Sequence, residues 1–426
     1  MLILLSLVAA NTRPLYEYNT PLNSTFIEAC IHGYIPVDDN SSNDLFYWYF
    51  NSRSDPSNNP LIVWFAGGPG SSSSNAILSE LGPFYANSTG QLVTNPYSWN
   101  SNANILFIDN PIGTGLSHGA FDDLAQTEND VAVAMVNFFT TWISLPPFQS
   151  LAGRDIYIAG VSYGGHYVPY IANALRKLNN PKIKIVGASI GNGLINSADQ
   201  FPSYTTYAMA NQNLTNVTSD LIKKYTPIFN LCSKMMKQAP KTISDRTYTY
   251  CWKQISDFTT LPNGQPRFNM YDIRYNNCTS PACFDFSILT NYMNQPLILK
   301  QLSSDKVWIG NDEQISEVLS RLDFILNCGP QVQQLLDSGV KVLTYYGDQD
   351  WICNWMGGND WSNNLKWKGQ SEYQKTTWQD YLGGIGQVRQ YKNFQMVRFF
   401  NAGHLVSMDK PQEALTMINN FISSST

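Results

Sequence analysis

The stretch Asp155–Tyr170, DIYIAGVSYGGHYVPY, constrains this chain more than any other, because it joins a strand, a sharp turn and a helix around one serine. Ile156, Ile158 and the small Ala159 suit a buried strand. Gly160, Ser162 and Gly164 then spell G-x-S-x-G, the pattern of a nucleophile elbow. Glycines leave room for a serine held in a strained strand-to-helix turn. The helix that follows presents free backbone N–H groups where an oxyanion would form. The pentapeptide also arises by chance in Gly/Ser turns, so its meaning depends on partners elsewhere in the chain.

Two further strand candidates supply them. Lys341 to Tyr346 (KVLTYY) runs into Gly347, Asp348, Gln349 and Asp350, and Gln395 to Phe400 (QMVRFF) runs into Asn401, Ala402, Gly403 and His404. Each ends in an ionisable side chain just past a strand. The order Ser162, Asp350, His404 is that of α/β-hydrolases and differs from the chymotrypsin and subtilisin orders. Histidine is scarce, at four in the chain: His32, His118, His166 and His404. Its place in a Gly-flanked turn after a strand makes His404 the candidate base, while His166, on the helix after the elbow, reads as structural.

Four separated blocks resemble the serine carboxypeptidases of the vacuolar and lysosomal type. They are WFAGGPGSSSS from Trp64, GVSYGGHYVP from Gly160, YYGDQDWICNW from Tyr345 and NAGHLVSMDKPQEAL from Asn401. Weaker family-like text lies between them: NPYSWNSNANILFIDNPIGTGLS from Asn95, IGNGL from Ile190 and YDIR from Tyr271, so the resemblance runs from about Tyr34 to the end. It implies an α/β-hydrolase fold, a central mostly parallel sheet with an inserted, mainly helical cap. It also implies a serine hydrolase that removes C-terminal residues from peptides and proteins through an acyl-enzyme, without cofactor or metal. Ser162, Asp350 and His404 would be its catalytic residues. Gly68 and Tyr163 would supply the oxyanion N–H groups, and the Gly67–Ser74 loop, which lacks a P-loop lysine, fits that use.

In the resembling family an Asn and the following glycine of that loop, with two glutamates, grip the substrate's free carboxylate. Gly67 and Glu80 match this network, but Ala66 stands at the Asn position and Val161 at that of the glutamate before the serine. Charge-assisted hydrogen bonds contribute roughly 1.5 to 3 kcal/mol each, so the grip on a free C-terminus is expected to weaken. Glu80, lacking its carboxyl partner, is expected to ionise more readily and to relax the dependence on acidic pH. An acyltransferase or esterase on the same scaffold is the alternative. A non-catalytic binding glycoprotein would have no need of a strained serine.

A chain of 426 residues, 43% hydrophobic and 14% charged, can bury a large core. Its net charge of −5 leaves no basic surplus for nucleic acid. The expected partners are peptide or protein substrates, with no stable membrane insertion; the oligomeric state is open. Met1 to Ala10, MLILLSLVAA, reads as a signal-peptide core too short to span a bilayer. Six Asn-x-Ser/Thr sites, at Asn23, Asn40, Asn87, Asn213, Asn216 and Asn277, agree with passage through the secretory pathway, to a lysosome, vacuole or the exterior.

The seven cysteines show no zinc-like spacing. Cys278 with Cys283 and Cys232 with Cys251 are candidate pairs, leaving Cys30 and Cys328 as a long-range one. The resemblance implies that Cys353 is a buried free thiol. It also implies that the family's bridge from the glycine-rich loop to the insertion is missing, because Ser71 occupies the cysteine position.

Along the chain, residues 1–10 form the leader, 11–196 the first part of the hydrolase core, 197–320 the cap insertion and 321–426 the second part. Phe46 to Phe50, Leu61 to Ala66, Ile105 to Asp109 and Lys184 to Ile190 are further strand candidates. Glu128 to Phe139 has helical spacing at Val131, Ala134, Met135 and Phe138, and Pro411 to Ile422 closes the chain as an amphipathic helix. Aromatic residues in the insertion would shape a pocket against the core.

Overall fold

Side chains alternate between two apolar layers along the central strands, and this alternation builds the molecule. In β4 (Leu61–Phe65) Leu61, Val63 and Phe65 enter one core cluster while Ile62 and Trp64 enter the other. In β8 (Asp155–Val161) Ile156 and Ile158 face the first, and Tyr157, Ala159 and Val161 the second. A strand buried on both faces needs a cover on each side. Helices α2 (Glu128–Trp142) and α3 (Gly164–Lys177) supply it on the first face, and Pro411–Ser423 on the second. Val131, Met135 and Phe138 of α2 are buried as their spacing predicts, and Ala134 is half-buried against the same cluster. Thr127 and Asp130 close the start of α2 as a reciprocal capping box.

The computed structural model describes residues 13–19, 26–38, 42–87, 89, 91–211, 213–238, 244–275 and 284–424. The leader, Asn23, Asn40, Asn277 and the Cys278–Cys283 pair lie outside them. The remaining strands are β1 (Glu17–Asn19), β2 (Cys30–Pro36), β3 (Asp44–Phe50), β5 (Phe84–Ala86), β6 (Leu92–Thr94), β7 (Asn104–Ile108), β9 (Lys184–Gly191), β10 (Lys341–Gly347), β11 (Gln379–Tyr381), β12 (Gly386–Tyr391) and β13 (Phe394–Phe399). Among the described residues, all but β5 and β6 form an 11-stranded sheet in the order β1-β2-β3-β7-β4-β8-β9-β10-β13-β12-β11. From β7 to β13 every neighbouring pair is parallel, so these strands end along one edge. The flanking pairs are antiparallel. This is the expected α/β-hydrolase architecture.

Between β9 and β10 the regular elements of the described chain, from Ser197 to Asp337, are helices joined by irregular segments, and none contributes a strand to the sheet. Cys232 and Cys251 are disulfide-bonded and join Ser219–Gln238 to Ser244–Thr259. The suggested bridge between Cys30 and Cys328 is not formed. Both are buried free thiols, Cys30 in the second core cluster and Cys328 in the first, with the sheet between them. Cys353 is also free and buried.

Candidate active site

The edge where the parallel strands end gathers the predicted residues. Ser162 follows β8 with φ 62°, the left-handed region in which a non-glycine residue is strained. Its N–H donates to Gly191 O at 2.9 Å, and its carbonyl accepts from Leu194 and Gly165. The strain is thus held by bonds to the neighbouring strand and the helix start. The glycine that the turn most requires is Gly165, where a Cβ would lie 2.3 Å from Leu194 O; at Gly164 the nearest atom would be 3.6 Å away. The motif's last glycine therefore has space, and the residue after it does not.

Asp350 and His404 stand on the turns after β10 and β13. His404 Nδ1 lies 2.8 Å from Asp350 Oδ2, with Asp350 fully buried and His404 nearly so. Asn192, at the end of β9, donates to the same carboxylate oxygen at 2.7 Å, and its own N–H donates to Tyr345 O. Asp350 Oδ1 accepts from the Ile352 N–H at 3.2 Å. A buried carboxylate is costly unless its lone pairs are used, and here three donors use them. Asn192 thereby links the elbow's neighbouring strand to the acid. Asp348, two residues earlier, serves the other turn by accepting the Asn401 N–H at 2.8 Å.

His118 also meets carboxylates, but on both ring nitrogens: Asp44 on Nδ1 and Asp305 on Nε2. A ring so occupied has no nitrogen left for a substrate or a nucleophile. His166 is buried with its ring stacked on Tyr163, centroids 4.4 Å apart, and burial pushes its pKa down to about 3. It is a neutral packing group, as expected.

The glycine-rich loop crosses directly over the elbow. A Cβ on Gly67 would lie 2.6 Å from Ser162 Cβ and 2.8 Å from the Tyr163 nitrogen, so only glycine fits. The four serines that follow are four separate anchors. Ser71 donates to Asn311 at 2.7 Å, and Ser72 donates to Asp109 at 2.6 Å and accepts from the Trp308 indole at 2.9 Å. Ser73 accepts the Ala66 N–H at 3.1 Å, and Ser74 accepts from the Trp48 indole at 3.1 Å. Ser71 therefore ties the loop to the insertion by a hydrogen bond.

Ala66 and Val161 are apolar and buried beside this loop. Glu80 ends the short helix Ser74–Ser79 and lines a cavity of about 290 Å³ with Tyr97, Ser407 and Met408, a few residues past His404. The expectation that it ionises readily is reversed: desolvation alone pushes its pKa up to about 8, although part of its surface stays open. Without a second carboxyl, Glu80 still keeps its proton, because low local polarity penalises the charged form. Cys353 Sγ lies within 4.8 Å of the facing atoms of Asp350 and His404, and burial pushes its thiol pKa far up, so it stays neutral.

Comparison with known proteins gives the family and the fold. The model of the serine carboxypeptidase family matches residues 23–424. The chain belongs to the serine carboxypeptidase family. It is 32% identical over 413 residues to the pheromone-processing carboxypeptidase kex1 of Neosartorya fischeri, covering 92% of this chain and 65% of that protein. It thus spans just under two thirds of that relative's length. The vacuolar serine-type carboxypeptidase ATG42 of Saccharomyces cerevisiae is 32% identical over 408 residues, covering 92% of this chain and 78% of the relative. The crystal structure of Kex1, a prohormone-processing carboxypeptidase from S. cerevisiae, superposes with a TM-score of 0.81 at 25% identity, covering 92% of this chain and 91% of that one.

Asn192 and Asp348 escaped the sequence reading. IGNGL entered only as family-like text from Ile190, and a Gly-Asn-Gly at the edge where parallel strands end is the signal that points to Asn192.

Proposed function

We propose that this serine carboxypeptidase family member hydrolyses peptides at their C-terminal bond. Ser162 attacks the scissile carbonyl and passes its proton to His404 Nε2. Asp350 holds the ring so that Nδ1 carries the proton donated to the carboxylate, and it stabilises the imidazolium that forms. The N–H groups of Gly68 and Tyr163 receive the charge that develops on the carbonyl oxygen; losing one such donor typically costs about 3 kcal/mol. His404 then protonates the leaving amine, and water activated by the same ring cleaves the acyl-enzyme.

The observation that carries this reading is the 2.8 Å contact of His404 with the buried Asp350, on the sheet edge that also bears the Ser162 elbow. Protonated Glu80 and the Gly67 N–H would bind the substrate carboxylate, with Ala66 and Val161 removing two of the family's partners. Residues 197–320 would act as a cap that shapes the pocket. No helix among the described residues is long and apolar enough to cross a membrane. Exposed Asn213 and Asn216 support a secretory route to a vacuole, lysosome or the exterior.

The test is a fluorophosphonate probe together with a blocked dipeptide offered as free acid, as amide and as ester. Labelling that disappears in Ser162→Ala, with turnover favouring the free acid, is the expected result. Turnover of the ester alone would favour the acyltransferase or esterase reading, and an unlabelled wild type would end the catalytic one.

A further inference from the structure

The YDIR text from Tyr271 has no part in the mechanism above, yet it lies against both turns that carry Asp350 and His404. The segment Asn269–Arg274 belongs to neither helix nor strand and sits between the helices Ser244–Thr259 and Ser287–Met293. Met270 O accepts the N–H groups of Trp351 and Ile352, each at 3.0 Å, and the Ile273 N–H donates to Gln349 O at 2.9 Å. The next carbonyl, Tyr271 O, accepts the His404 N–H at 2.8 Å. The Tyr271 ring meets the His404 imidazole edge-on, centroids 5.0 Å apart. Buried Asn269 folds the segment back on itself, its Oδ1 accepting from the Tyr271 and Asp272 N–H groups.

Arg274 locks the far end. Asp272 accepts its Nε at 2.8 Å and also its Nη2. Nη1 donates to Asn401 O at 2.7 Å and Nη2 to Asp409 Oδ2 at 2.7 Å. That same Asp409 oxygen accepts the Gly403 N–H at 2.6 Å. A guanidinium and a carboxylate therefore bracket the three residues before His404. Contact with the strap is tight, since a Cβ on Gly403 would lie 2.6 Å from Asp272 Oδ2.

We propose that Arg274 is a positioning residue for the hydrolytic reaction, acting through the Asn269–Arg274 strap to hold the His404 turn against the Asp350 turn. The proposal rests on the assignment of Ser162, Asp350 and His404 as the catalytic residues. Its physical basis is that His404 sits on a loop, whose backbone would otherwise set the ring loosely. A misplacement of about 1 Å at a reacting group can cost on the order of 100-fold in rate. A strap drawn from the insertion removes that freedom at both turns at once. Arg274 acts through the Asp272 and Asp409 carboxylates and the Asn401 carbonyl, while Tyr271 is the strap side chain that packs against the His404 ring.

The test separates geometry from folding by counting active sites. Wild type, Arg274→Gln, Arg274→Lys and Asp409→Asn are titrated with the fluorophosphonate, and labelling rate, kcat per labelled site and KM are measured on the blocked dipeptide acid. Arg274→Gln is expected to label to full stoichiometry, yet with labelling rate and per-site kcat lowered by about 10-fold to 100-fold and KM little changed. Arg274→Lys should recover part of the rate, because it keeps the charge facing Asp409 and loses the fork. Asp409→Asn, which weakens the clasp from its other side, should fall in the same direction and serves if Arg274→Gln does not fold. A per-site rate equal to wild type in the folded variants, with only the labelled fraction or Tm reduced, would overturn the proposal. Failure of the underlying assignment looks different: wild type would then not label, or Ser162→Ala would label as well.

Discussion

Asn192 donates its side-chain N–H to Asp350 at 2.7 Å, on the carboxylate oxygen that also faces His404. The side-chain oxygen of Asn192 accepts the Gly347 N–H at 3.2 Å, so one amide joins the ends of β9 and β10 and orients the acid between them.

Asn192→Ala should therefore cost both stability and rate. Leaving buried hydrogen-bonding groups unpaired typically costs about 1 to 3 kcal/mol, and a urea unfolding curve should shift by that amount. Per-site kcat should fall as well, since the carboxylate is freed to turn from His404. Unchanged values of both would show that Asp350 is held by its other donors alone.

Glu80 makes the pH dependence testable. An unfolded glutamate ionises near 4.3, whereas the folded one holds its proton up to about 8. Between those values the folded state binds more protons, so this group's contribution to stability is full below about 4.3, falls as pH rises and is lost above about 8. As a donor to the substrate carboxylate it should act throughout the acidic and neutral range. KM for the free-acid dipeptide should rise as pH passes about 8, and Glu80→Gln should flatten that rise. A KM already climbing near pH 5 would show that Glu80 ionises like an exposed carboxyl.

Restoring a missing partner should sharpen selectivity. Ala66→Asn, placed beside Gly67, is expected to raise the preference for free acid over amide by roughly tenfold, the equivalent of one charge-assisted hydrogen bond near 1.5 kcal/mol. Ester turnover should hardly change. An unaltered acid-to-amide ratio would mean that residue 66 does not meet the substrate carboxylate.

Gly67→Ala tests the loop from the opposite direction. Its methyl group would need space already taken by Ser162 Cβ at 2.6 Å and by the Val161 carbonyl at 2.7 Å. Overpacking of this kind typically costs about 1 to 3 kcal/mol, and here the displaced atoms include Cβ of Ser162, the proposed nucleophile. Fluorophosphonate labelling should slow far more than Tm falls; labelling at the wild-type rate would contradict the geometry.

The chain's own letters determined β3 and the parallel strands β7, β4, β8, β9, β10 and β13, the helix after the elbow, the order Ser162, Asp350, His404 and the family, while β1, β2, β5, β6, β11 and β12 were not announced by them. The strands and the helix rest on local periodicity, and the order and the family on short motifs read one after another along the chain. Val131, Met135 and Phe138 announce a buried helix face, and a serine between glycines announces a turn, wherever the rest of the chain goes. Only the tertiary structure decided what meets across the sheet edge. It chose Gly165 over Gly164 as the glycine the elbow needs, kept Cys30 from Cys328 by placing the sheet between them, and held a proton on Glu80 through desolvation. It also brought Asn192 and Arg274 to turns far from them in sequence. Burial and long-range hydrogen bonds depend on where distant backbone ends up, and no pattern within a short window encodes that.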